Sequence, residues 1–75
     1  MPSEAVEFCA QLTIREREFA RELAMGSTVR EVAEHFGVTP KTAGTHRATI
    51  LRKTRCRNLV EFARIAIAGG IVPPP

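Results

Sequence analysis

The chain has no tryptophan and no tyrosine, and its aromatics are limited to Phe8, Phe19, Phe36 and Phe62. Any core must therefore be mostly aliphatic. Cysteine is equally scarce. Cys9 and Cys56 stand far apart and outside any C-x-x-C pair, which excludes a disulfide framework and a clustered Cys/His zinc site. Both are expected to be free thiols, with no redox role. No apolar run approaches the roughly 20 residues that span a bilayer. The start, Met1-Pro2-Ser3-Glu4, has neither the basic region nor the apolar stretch of a signal peptide. A cytoplasmic protein with no membrane role is expected. No acid pair, nucleophile–base set or phosphate loop is legible, so neither enzymatic activity nor a cofactor nor a metal is expected.

One absence is confined to a single stretch. Residues 35–60 contain no Asp or Glu but carry Lys41, Arg47, Arg52, Lys53, Arg55 and Arg57. Residues 1–34 carry four Arg against seven Glu, so the formal net charge of +3 hides a strong asymmetry. A block of one sign set in a helical pattern suits a polyanion such as double-stranded DNA. A solvated charged face is the plainer alternative.

What is present reads as helices with clear punctuation, and no strand-like alternation occurs. At 75 residues the chain makes one small domain, able to bury about 60% of its unfolded surface. Thr13 and Glu16 have capping-box spacing. They open a helix from about Ile14 to Met25, with Ile14, Phe19, Leu23 and Met25 as its apolar stripe and Gly26 after it. Thr28 and Glu31 repeat the box before a two-turn helix that buries Val29, Val32, Ala33 and Phe36 and closes at Gly37. Thr39-Pro40 is a cap followed by proline at the first helical position. It starts a third helix running to about Arg55. Asn58 and Glu61 open a last helix through about Ala68, ended by Gly69-Gly70. The fold class expected is all-α, a four-helix bundle containing a helix-turn-helix. Residues 1–11 are either an extra short helix, with Ala5, Phe8, Cys9 and Leu12 on one face, or a linker remnant. Residues 73–75, all proline, form an extended, frayed tail.

A short helix, a turn with Gly37 and a longer basic helix is the helix-turn-helix arrangement, which carries the second helix of the pair into a major groove. The 100° helical spacing places Ala43, Ile50 and Thr54, flanked by Leu51, toward the core. Lys41, Thr45, Ala48 and Arg52 fall opposite, toward DNA, with Gly44 and Thr49 at the edges. Lys41, Arg47, Arg52 and Lys53 are the expected phosphate contacts, assisted by the Thr39 and Thr42 hydroxyls and the helix N-terminus. His46 lies at the border of the two faces as a packing or phosphate-contact residue, and His35 is expected outside on the second helix. Gly44, Thr45 and Ala48 are small, whereas bidentate base contacts come from Arg, Asn and Gln. Base discrimination is therefore expected to be modest and the affinity phosphate-dominated. Gly44 either permits close backbone approach or marks a site that has drifted.

The runs Leu12-Thr13-Ile14-Arg15-Glu16-Arg17-Glu18, Gly26-Ser27-Thr28, Glu31-Val32-Ala33, Phe36-Gly37-Val38-Thr39 and Lys41-Thr42, with His46, Ile50, Lys53 and Arg57-Asn58, closely resemble the LuxR/GerE-type domain. That family includes the effector domains of NarL/FixJ response regulators and of quorum-sensing regulators. The similarity spans residues 12–72. It implies a bacterial transcription regulator that binds DNA as a dimer. The family pair after Lys-Thr is often Val-Lys, where Ala43-Gly44 stands here. Its Lys-Leu-Gly stretch reads Lys53-Thr54-Arg55, which sets a hydroxyl where a leucine packs and an arginine at a turn glycine. A weaker core and a longer third helix are expected from that change. Cys56 takes the place of a family valine. The resemblance puts the dimer contact on the last helix. There Leu59, Phe62, Ala63 and Ala66 suit the core, and Val60 and Ile67, with Arg64, form a second face. A regulatory domain or partner protein is implied as well. Two other readings stand beside this one: a sigma-factor-like promoter-binding segment, and a protein-interaction module that kept the fold with weak base readout.

Overall fold

In the computed structural model the described residues, 4–73, form five helices and no strand. They are α1 (Glu4–Ala10), α2 (Ile14–Ala24), α3 (Val29–Phe36), α4 (Pro40–Lys53) and α5 (Leu59–Ala68). Of the expected tail, Pro74 and Pro75 lie outside the described residues, as do residues 1–3 of the N-terminal segment.

Each of the four expected helices begins at the residue chemistry assigned to it. The Thr13 hydroxyl accepts the Glu16 N–H at 3.1 Å, while the Glu16 carboxylate accepts the Thr13 N–H at 2.8 Å. Thr28 and Glu31 repeat the pair with the same two distances. Such reciprocal caps satisfy backbone donors that helix geometry leaves without partners. Thr39 caps α4 through the Thr42 N–H at 3.1 Å, with Pro40 next in line. Asn58 caps α5, but Glu61 does not complete a box there. Its carboxylate instead accepts the Arg57 backbone N–H at 2.8 Å and the Arg57 guanidinium at 2.8 and 3.0 Å. Those bonds hold the Glu61 carboxyl below its ordinary pKa.

The helices close on one core of Leu12, Phe19, Ala20, Leu23, Val32, Ala33, Ala43, Ile50, Leu51, Phe62, Ala66 and Val72. Phe19 and Phe62, the largest buried side chains, supply much of the apolar area. The segment before α2 is helical over Glu4–Ala10. It packs on the end of α5 so closely that a Cβ on Gly69 would lie 2.5 Å from Cys9 Sγ and 2.8 Å from the Ala5 carbonyl oxygen. Only glycine fits that approach. Arg17 ties α1 to α2 by donating to the Cys9 carbonyl at 3.0 Å. Burial raises the Cys9 thiol pKa against the opposing charge of Arg17, as suits an inert free cysteine.

Two sequence expectations about packing are corrected. Ile14 and Met25 were expected in the apolar stripe of α2 but are 81% and 68% exposed. The buried stripe is Glu16, Phe19, Ala20 and Leu23, a strict i, i+3, i+4, i+7 set that begins with an acid. The third expected helix also does not lengthen. α4 stops at Lys53, and Arg55 takes the left-handed conformation, φ 57°, at the position of the family's turn glycine. The Cys56 N–H then bonds back to the Leu51 carbonyl at 2.9 Å and closes the helix end. A non-glycine residue there costs about 1–2 kcal/mol. Thr54, where a leucine normally packs, is 1% exposed, yet its hydroxyl donates to the Ile50 carbonyl at 2.7 Å and so is not orphaned.

The buried acid has a partner 37 positions away. Lys53 donates to Glu16 Oε1 at 2.8 Å, the same oxygen that receives the Thr13 N–H. Burial pushes the Glu16 carboxyl up, but the bonds from Lys53 and Thr13 and the lysine's charge outweigh it and leave the pKa lowered. A depressed folded-state pKa contributes stability that is full above the unfolded value, about 4.3, and lost as pH falls through the folded one. Glu16→Gln should lower stability at pH 7 by about 1.5–3 kcal/mol, the usual worth of a hydrogen bond to a charged group. The gap from the parent should narrow in thermal melts as pH drops from 6 to 3. A gap constant with pH would show that the charge of Glu16 contributes nothing.

Candidate nucleic-acid interface

The geometry of α3, the turn and α4 is set by a glycine hinge and a small aromatic cluster. Gly37 ends α3 in the left-handed conformation, φ 66°, which reverses the chain within three residues of the next cap. Phe36 at the end of α3 stacks on Phe19 of α2, ring centroids 4.4 Å apart and planes 13° from parallel. His46 in the middle of α4 also lies against Phe19, its ring 4.5 Å away and tilted by 44°. The Arg15 guanidinium covers both phenylalanines, at 5.2 Å from Phe19 and 4.6 Å from Phe36. One buried aromatic ring thus fixes both helices of the pair.

Held this way, α4 divides as its spacing predicts. Ala43, Ile50, Leu51 and Thr54 are buried. Lys41, Thr45, Ala48 and Arg52 are exposed along the opposite side, with Gly44 and Thr49 half-buried at its edges. Thr39 and Thr42 are exposed at the helix start, and Arg47 is half-buried. Among the described residues Lys41, Arg47 and Arg52 make no ion pair, so their charges are unspent. Lys53 differs from the other expected phosphate contacts because its ammonium is held by Glu16. Sequence spacing carries no signal for that pairing. His46 is a packing residue at the border of the faces. His35 is exposed on α3, where its Nδ1 meets the Glu22 carboxylate.

The hydroxyls are partly committed. Thr39 Oγ1 accepts the Thr42 N–H and donates to Thr42 Oγ1 at 3.1 Å. Thr45 donates to the Lys41 carbonyl at 3.1 Å on the exposed side of α4. Gly44 has open space where a Cβ would stand, with nothing within 4 Å. Among the described residues no packing demand explains it. On α5, Val60 is 72% and Ile67 40% exposed, with Arg64 also exposed between them. Among the described residues no group of three His, Cys, Asp or Glu side chains is placed to hold a metal ion, and no helix is long and apolar enough to cross a membrane.

Residues 10–66 match the family described as "Bacterial regulatory proteins, luxR family". The chain belongs to that family. It is similar to the transcriptional regulatory protein UhpA of Escherichia coli strain K12, with 47% identity over 71% of this chain and 27% of that protein. It is also similar to the transcriptional regulatory protein FixJ of Azorhizobium caulinodans, with 31% identity over 95% of this chain and 34% of that protein. The tetrathionate response regulatory protein TtrR of Salmonella typhimurium is 39% identical over 72% of this chain and 26% of its own length. The chain thus spans about a quarter to a third of the length of these three relatives. No solved structure matches it. This LuxR-family domain is a DNA-binding helix-turn-helix module of a transcriptional regulator.

Because the space beside Gly44 is empty, Gly44→Ala should stabilise the free LuxR-family domain by about 0.5–1 kcal/mol, the ordinary gain of alanine over glycine inside a helix. Thermal denaturation reads this as a higher Tm. A lower Tm would mean that α4 has a packing demand at position 44.

Proposed function

We propose that α4 is the recognition helix and enters the major groove with Lys41, Thr45, Ala48 and Arg52 toward the duplex, while α3 crosses the backbone. The observation that carries this reading is the exposed row of unpaired cations and small side chains on a helix whose other side is buried. Lys41, Arg47 and Arg52 neutralise phosphates, and the Thr39 and Thr42 hydroxyls and helix N-terminus add polar donors. Lys53, already bonded to Glu16, joins them with its remaining N–H donors but with its charge partly neutralised. Base readout is modest. Gly44, Thr45, Ala48 and Thr49 let the helix backbone sit close to base edges but offer no bidentate donor. The Thr45 and Ala48 methyls suit thymine methyl groups. His46 positions α4 through Phe19.

The exposed residues Val60, Arg64 and Ile67 follow one another at i, i+4 and i+7, so they share a face of α5 pointing away from Phe62 and Ala66. We assign this face to a homodimer that forms on DNA with two half-sites. The length of the relatives supports a regulatory domain acting on this one, in a cytoplasmic response regulator. The small residues at the centre of α4 favour one second reading, a protein-interaction module that kept the fold. The family match sets aside a sigma-factor-like segment.

Fluorescence anisotropy with random-sequence duplexes at two salt concentrations separates these readings. DNA binding predicts measurable affinity at low salt that falls steeply as salt rises; no binding at low salt leaves the interaction-module reading. Lys41→Ala and Arg52→Ala should each reduce the steepness of log affinity against log salt by about 0.9, one phosphate apiece. They should weaken all duplexes alike, and an unchanged slope would place the DNA face elsewhere. Val60→Glu should abolish cooperative binding to a two-half-site duplex while shifting monomer stability by no more than about 0.5 kcal/mol, as for other exposed substitutions. Identical cooperativity in parent and variant would reject the α5 dimer.

A further inference from the structure

The row Lys41, Thr45, Ala48, Arg52 does not stop with α4. One further step of the same i+3/i+4 spacing reaches Arg55, which the left-handed turn, φ 57°, carries just beyond the helix end. There the chain has a cleft of about 560 Å³ between α1 and the end of α4, lined by Glu7, Phe8, Gln11, Arg52, Lys53 and Arg55. The Arg55 guanidinium lies over the Phe8 ring, 5.4 Å from its centroid. Stacking on an aromatic face leaves the edge donors of a guanidinium free for an anion while restricting its rotamers. Arg52 makes no ion pair among the described residues, and Lys53 is occupied by Glu16. The cleft therefore offers two uncommitted guanidinium groups and the Gln11 amide, with Glu7 as the single acid on its wall.

We propose that this cleft is a phosphate-binding groove for the DNA backbone, and that it extends the footprint of the recognition helix onto α1. It rests on the assignment of α4 as the DNA-reading helix. A duplex lying along Lys41–Arg52 runs off the end of α4 into this cleft. Its backbone phosphate there takes Arg55 and Arg52 as charge-assisted donors and Gln11 as a neutral one. Arg55 thus has a task that a turn glycine cannot perform, which compensates its strained backbone. Phe8 is a positioning residue that acts through Arg55.

The test uses the full chain and anisotropy titrations of one duplex across a salt series. Arg55→Ala should reduce the salt slope by about 0.9 and weaken binding at low salt, with helix content by circular dichroism unchanged. Glu7→Gln should tighten binding by about two- to fivefold, the range expected for relieving one exposed like-charge contact. A merely structural role for the cleft moves neither quantity. Phe8→Leu keeps apolar bulk on α1 and should weaken binding in the same direction as Arg55→Ala, by less. A slope unchanged in Arg55→Ala but reduced in Lys41→Ala overturns the cleft while leaving the recognition helix intact. A parent chain that binds no duplex at low salt overturns both.

Discussion

The DNA-facing geometry depends on Phe19. Its ring is fully buried, and Phe36 of α3 and His46 of α4 both rest on it. In a chain with four aromatic residues and no tryptophan or tyrosine, this is where helix-to-helix orientation is fixed. Aliphatic packing alone tolerates repacking, whereas stacked rings contribute about 0.5–1.5 kcal/mol beyond their buried area and have preferred geometry. The angle between α3 and α4 follows from that hub and from the hinge at Gly37.

A second constraint acts at the other end of α4. Glu16 serves as both a helix cap and the partner of Lys53, so one carboxylate oxygen joins the start of α2 to the end of the recognition helix. Breaking a partly buried pair by removing one member leaves the other uncompensated. A duplex that recruits Lys53 meets a charge already partly neutralised by Glu16, whereas Lys41, Arg47 and Arg52 meet phosphates with their charges unpaired. The basic block is thus two populations, one spent on holding the fold and one available to a polyanion.

α1 is where the chain differs most from the simplest four-helix reading. It is anchored by the close approach at Gly69, by Arg17 on the Cys9 carbonyl, and by Phe8 beneath Arg55. These contacts bring a segment from the acidic half of the sequence beside the end of the most basic helix. The positive-φ arginine at position 55 belongs to the same junction.

The sequence by itself determined where the four capped helices begin, because caps and proline act on their immediate neighbours. Thr13, Thr28, Thr39 and Asn58 each sit at the cap position their spacing gave them. It also determined which side of α4 is wet, since helical periodicity is local, and the family pattern made the DNA-binding role legible. Tertiary structure alone decided which long-range partners each side chain found. Glu16 is accommodated inside because α4 presents Lys53 to it, a partner 37 residues away, whereas Ile14 and Met25 lie outside because helical spacing already turns them from the face of Phe19 and Leu23. The helix over residues 4–10 packs closely on the end of α5, at a glycine near the opposite end of the chain whose Cβ would collide with it. Such pairings depend on the closed shape of the whole domain, and no short window of sequence contains it.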